Sequence, residues 1–107
     1  MIYNLIIYKP HTGKPPFEKW LLSLRDKKTR SIIQARIDRA AFGNLGDIKS
    51  LGDDVFEFRI DYGPGFRVYF SIQGQKILLL LAGGDKQTQN RDIEKAKLYL
   101  ENWKSYG

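Results

Sequence analysis

The feature that most constrains this chain is a pair of alternating segments joined by one glycine–proline turn. In Val55-Phe56-Glu57-Phe58-Arg59-Ile60-Asp61, the residues Phe56, Phe58 and Ile60 fall on one side of an extended strand. Glu57, Arg59 and Asp61 fall on the other. Tyr62-Gly63-Pro64-Gly65 turns the chain, after which Phe66, Val68, Phe70 and Ile72 alternate against Arg67, Tyr69 and Ser71. Successive side chains of a strand point to opposite faces, so each segment has one apolar and one polar face. A hairpin buries both apolar rows together. Keeping the rows on one face requires an odd loop, so three or five residues are expected rather than four. The same register gathers Glu57, Arg59, Arg67 and Tyr69 opposite, with Arg59 across from Arg67 or Tyr69.

Around this hairpin the remaining pattern predicts a layered domain. Ile2 to Tyr8 is rich in strand-forming residues. Pro15-Pro16 suits a helix start, and Phe17, Trp20, Leu21 and Leu24 follow at helical spacing. Asp26 is a candidate cap for a second helix with an inward stripe of Ile33, Ile37, Ala40 and Ala41. Its outer faces carry Lys27, Lys28, Arg30, Arg36 and Arg39, and Gly43-Asn44 ends it. Lys76 to Ala82 is apolar on both faces and reads as an interior strand. Gly83-Gly84-Asp85-Lys86 reads as the break that ends it. Thr88 or Asn90 caps a last helix whose stripe is Ile93, Ala96, Leu100 and Trp103. The predicted order is β-α-α-β-β-β-α in a single α+β domain over residues 1–107. A curved, mostly antiparallel sheet would carry an N-terminal helical hairpin and a C-terminal helix packed on it.

Residue usage narrows the chemistry. The chain has no cysteine and one histidine, His11, which removes thiolate sites and leaves no basis for a histidine-built metal centre or triad. No metal and no cofactor is expected. Neither a signal-peptide pattern nor a membrane-length apolar run is present, so a cytoplasmic protein is expected. The formal net charge is +6, and its placement matters more than its size. Beside the hairpin's polar face, Lys49 lies upstream on what reads as the neighbouring strand, and Lys86 follows the next strand in a glycine-flanked loop leading to Arg91. Cations gathered in a groove repel one another and suit an anionic ligand. RNA carries its own nucleophile, the 2′-hydroxyl. Its cleavage needs a base, positive charge for the phosphorane and an acid for the leaving oxygen. Guanidinium groups match phosphate oxygens in pairs, and a carboxylate among them can act as base.

Three motifs carry a family resemblance: Phe17-x-x-Trp20-Leu21; Gly43-Asn44-Leu45-Gly46-Asp47-x-Lys49-x-Leu51-Gly52; and Val55-x-Glu57-x-Arg59-Ile60-x-x-Gly63-Pro64-Gly65-x-Arg67-Val68-Tyr69-Phe70. Continued by Leu79-Leu80-Leu81-x-Gly83-Gly84-Asp85-Lys86-x-Thr88-Gln89-x-x-Asp92-Ile93, the pattern resembles the phage-derived addiction-module killer proteins. These form a HigB-like branch of the RelE/ParE toxin superfamily. The resemblance implies a RelE-like fold. It also implies a type II toxin that cleaves mRNA on the ribosome without metal, leaving a 2′,3′-cyclic phosphate, and an adjacently encoded helix-turn-helix antitoxin as partner. It assigns catalysis to Glu57, Arg59, Arg67 and Lys86, with Arg67 on the scissile phosphate. Lys49, Tyr69 and Arg91 are assigned to nucleic-acid binding. Where the family often carries a catalytic tyrosine or histidine near its end, this chain has Arg91-Asp92. Two alternatives remain: a ParE-like poison of DNA gyrase, and a non-catalytic nucleic-acid- or protein-binding module.

Overall fold

A computed structural model describes residues 2–106; Met1 and Gly107, the ends of the expected domain, lie outside them. Eight elements follow in order: β1 (Asn4–Ile7), α1 (Pro16–Ser23), α2 (Lys27–Ala41), β2 (Ile48–Ser50), β3 (Phe56–Ile60), β4 (Phe66–Gln73), β5 (Ile77–Asp85) and α3 (Gln89–Tyr106). The strands make one sheet in the order β1-β5-β4-β3-β2. All pairs are antiparallel except β1 with β5, which is parallel.

This corrects the expected order β-α-α-β-β-β-α with its RelE-like sheet. The observed order is β-α-α-β-β-β-β-α in a five-stranded mixed sheet. The added strand, β2, has three residues, too few to show alternation of its own. Its pairing with β3 defines it, through Ile48↔Phe58, Lys49↔Glu57 and Ser50↔Phe56. A second correction concerns β5, which runs on through Gly83 and Gly84 to Asp85 instead of breaking there. Glycine within a strand often marks close approach of another group. Here each glycine admits one: a Cβ on Gly83 would lie 2.1 Å from Trp20 Cε3, and one on Gly84 would lie 1.9 Å from Asp92 Oδ2.

Helices cover both faces of the sheet. On one, Phe17 of α1 and Ile33, Ile37 and Ala40 of α2 pack with Phe58, Val68, Phe70 and Leu80. Arg36, expected on an outer basic face, is buried; its guanidinium lies 4.5 Å from the Phe58 ring centroid, and burial draws it below the ordinary arginine range. On the other face Ala96 and Leu100 of α3 pack with Val55, Tyr69, Leu79 and Leu81. The Asp26 cap is as anticipated: its carboxylate accepts from the Lys28 backbone N–H. Thr88 immediately precedes α3, and its hydroxyl donates to the Asp92 carboxylate.

Candidate functional site

The β3–β4 hairpin closes with five loop residues, 61–65, and its register sets Arg59 directly across from Arg67 and Glu57 across from Tyr69. Gly63 and Gly65 in that loop have φ of 58° and 80°, which glycine alone adopts freely. The Gly65 carbonyl accepts a 2.9 Å hydrogen bond from Arg67 Nη1, so the turn that fixes the register also aims the arginine.

Glu57 sits at the centre of the cluster. Its side chain is fully buried, and each carboxylate oxygen has a partner. Oε2 accepts from Arg59 Nε at 2.9 Å and lies 3.9 Å from Arg67 Nε. Oε1 accepts from Gln89 Nε2 at 3.0 Å, at the start of α3. The Arg67 side chain is 11 % exposed and the Arg59 side chain 46 %. The bond from Arg59 to Glu57 and the adjacent negative charge raise the Arg59 guanidinium above its ordinary value. That bond uses Nε alone, and nearly half of the Arg59 side chain stays exposed.

The expected set is therefore brought together in part. Glu57, Arg59 and Arg67 form one contiguous ion cluster, two cations on one carboxylate. Lys49 is exposed and faces Glu57 across β2–β3 by register. Lys86 is exposed in the turn after Asp85, the register partner of Phe66, one place from Arg67. Arg91 is exposed in the first turn of α3.

Two assignments change. Tyr69 was expected on an open binding face, but it lies wholly within the core beneath α3, where its hydroxyl has no hydrogen-bond partner. Burial, followed by the charges of Asp92 and Glu57, pushes the phenol well above its ordinary value. Glu57 was expected as a base on an exposed surface. With both oxygens engaged and no exposure, it holds the arginines in place instead.

Gln89 and Asp92 were not anticipated. Asp92 is 7 % exposed and accepts a 2.5 Å hydrogen bond from Thr88 Oγ1; its carboxylate fills the space above Gly84, the register partner of Arg67. The spacing Asp85-x-x-Thr88-x-x-x-Asp92 was the available signal for the turn. Nothing local in the sequence ties Gln89 to Glu57, 32 positions away.

Among the described residues no group of three or more histidines and carboxylates is placed to hold a metal. Asp53 and Asp54 instead face Lys97 and Lys104 of α3 at 3.4 and 3.6 Å. Among the described residues no helix is long and apolar enough to cross a membrane.

A Haemophilus influenzae protein described as uncharacterized is similar to this chain, 51% identical over 85 residues. The match covers 79% of this chain and 86% of that protein. No family model matches.

Proposed function

The chain belongs to one family with that Haemophilus influenzae protein, and we propose that it is a toxin of a type II toxin–antitoxin module that cleaves mRNA on the ribosome in the cytoplasm. The observation that carries this reading is the Arg59/Arg67 pair. Two guanidinium groups on neighbouring strands share one buried carboxylate, so their positions are set before any ligand arrives. Preorganised donors aimed where charge develops supply a large part of catalysis. The motif resemblance to RelE/ParE toxins supplies the rest of the support.

In this mechanism the 2′-hydroxyl loses its proton to water and attacks the adjacent phosphorus, the P–O5′ bond breaks with the 5′-oxygen taking a proton from water, and a 2′,3′-cyclic phosphate remains. Arg59 and Arg67 stabilise the phosphorane, Lys86 and Lys49 add positive charge, and Glu57 acts as a positioning residue. The antitoxin partner would cover this basic surface with acidic groups.

Purified protein incubated with translating ribosomes should cut the mRNA and leave cyclic phosphate ends. Arg59→Ala should slow single-turnover cleavage by ~10²–10³. Arg59 is the better probe than Arg67, because its exposed guanidinium contributes less to packing. Intact mRNA with active ribosomes would overturn the reading. A second reading, inhibition of DNA gyrase without RNA chemistry, is favoured by one observation: Glu57, the carboxylate of the cluster, is sealed from solvent and has both oxygens engaged. A supercoiling assay with the same preparation decides between them.

A further inference from the structure

The parallel pairing of β1 with β5 ends at Ile7↔Leu80, while β5 continues to Asp85. Beyond Leu80, that edge of β5 opens into a cleft of about 430 Å³ between α1 and α3. Its walls are aromatic: Trp20 from α1 and Tyr99 from α3. Neither ring is loose. Trp20 lies against Gly83 closely enough to forbid a Cβ there, and it meets Phe17 and Phe66 at centroid distances of 5.8 and 6.2 Å. Tyr99 is stacked on Tyr8 at 5.1 Å.

Three lysines, Lys14, Lys19 and Lys95, also line the cleft, and none of them lies within ion-pair distance of a carboxylate among the described residues. The one acid lining it, Asp92, is more than nine-tenths buried and receives the Thr88 hydroxyl on Oδ2. A cationic rim, two fixed aromatic faces and a buried acceptor match a nucleotide better than an acidic peptide, which has no use for the rings or the carboxylate. Single-stranded nucleic acid is held in this way, by stacking on aromatic faces with the backbone on lysines.

Asp92 narrows the base. An ionised carboxylate only accepts hydrogen bonds. Guanine offers two adjacent N–H donors on its pairing edge; adenine, cytosine and uracil each set a donor beside an acceptor. The cleft is also close to the arginine pair. Asp92 lies over Gly84, and Gly84 is the register partner of Arg67, one strand spacing of ~4.8 Å away.

We propose that the cleft between α1 and α3 is a guanine-selective subsite for single-stranded RNA, in which the base lies against Trp20 and donates to Asp92 while Lys14, Lys19 and Lys95 hold the flanking phosphates. The proposal takes the identity of the polymer from the reading above and adds a site and a base preference to it.

The test uses the full chain carrying Trp103→Phe, so that Trp20 is the only remaining tryptophan of the two. Its emission is followed during titration with hexaribouridylate containing one central guanosine, adenosine or inosine. Guanosine should quench Trp20 and bind ~10-fold more tightly than adenosine, within the range for a good base contact. Inosine, which lacks the 2-amino donor, should fall between them. Lys19→Ala with Lys95→Ala should weaken all three RNAs together and flatten the salt dependence. Asp92→Asn, which still accepts from Thr88, should abolish the guanosine preference. Should that variant fail to fold, the inosine series decides alone, since it leaves the protein untouched. Equal affinity for all three bases, no quenching by any RNA, or equal quenching by polyglutamate would each overturn the proposal. Guanosine-selective binding without mRNA cleavage would sink the nuclease reading and keep the subsite. Cleavage with no base preference at Trp20 would do the reverse.

Discussion

Gly84→Ala tests the packing that underlies both the arginine cluster and the cleft. Gly84 does not have a left-handed backbone, so alanine can adopt its conformation and would gain ~0.4–1 kcal/mol from a less flexible unfolded chain. Against that, the new methyl would sit 1.9 Å from Asp92 Oδ2 and 2.9 Å from both Asp92 Cγ and Thr88 Oγ1. The Asp92 side chain is short, buried and bonded to the same hydroxyl, so the first turn of α3 has to move with it. Overpacking of this kind costs ~1–3 kcal/mol. At 1.9 Å the upper part of that range, ~2–3 kcal/mol, applies; less the gain above, the net loss is about 1–2.6 kcal/mol, and a domain of this size loses roughly 4–8 °C of melting temperature per kcal/mol. Thermal unfolding by circular dichroism should show that fall. In an Asp92→Ala background the same substitution should cost much less, because the obstructing carboxylate is gone. A melting temperature unchanged by Gly84→Ala, or an equal cost in both backgrounds, would refute the reasoning.

Three further outcomes follow from the same geometry. Phe58→Ala should destabilise by ~3–5 kcal/mol in urea unfolding, since it empties the centre of the core and removes the ring beneath Arg36; a loss under 1 kcal/mol would contradict the packing. Tyr69→Phe should be neutral or stabilising, because the hydroxyl it deletes is buried without a partner; a loss above 1 kcal/mol would mean that the hydroxyl is bonded. The Tyr69 phenol is raised on folding, so its contribution is intact below the unfolded value near 10 and falls as pH rises above it; urea melts from pH 8 to 11 should decline from about pH 10, less steeply in Tyr69→Phe.

The hairpin was legible because its two apolar rows leave one register, and the structure has that register, with a five-residue loop. Alternation shows which residues share a face; it does not show whether the face is covered. Glu57 and Tyr69 were assigned to an open surface for that reason. The missing signal was present in β5, whose Leu78 to Leu81 are apolar on both faces and therefore need cover on both. The inward stripe of α3, with Ala96 and Leu100, supplies the second cover. Gly83-Gly84 was misread because glycine marks both turns and close approach, and only the tertiary partners Trp20 and Asp92 distinguish the two. β2 was lost from the element order because three residues carry too little pattern without their neighbour.

The buried ion cluster argues for function on energetic grounds. Replacing a buried ion pair by apolar residues of similar volume is often neutral or stabilising, so burial of Glu57 beside Arg67 is not by itself a stabilising feature. Around them the chain does what a stable interior requires: Val55, Leu79 and Leu81 pack against Ala96 and Leu100 of α3. Apart from Arg36 on the opposite face, the departures gather around one patch, where a sealed carboxylate, a nearly sealed arginine and a phenol with no partner lie close together. Local violations of otherwise consistent packing mark functional sites more often than structural ones. The first turn of α3 ties this patch to the cleft, because Gln89 holds Glu57 while Asp92, three residues on, fills the space over Gly84. A displacement of that turn would therefore loosen the aim of Arg59 and the acceptor in the cleft together.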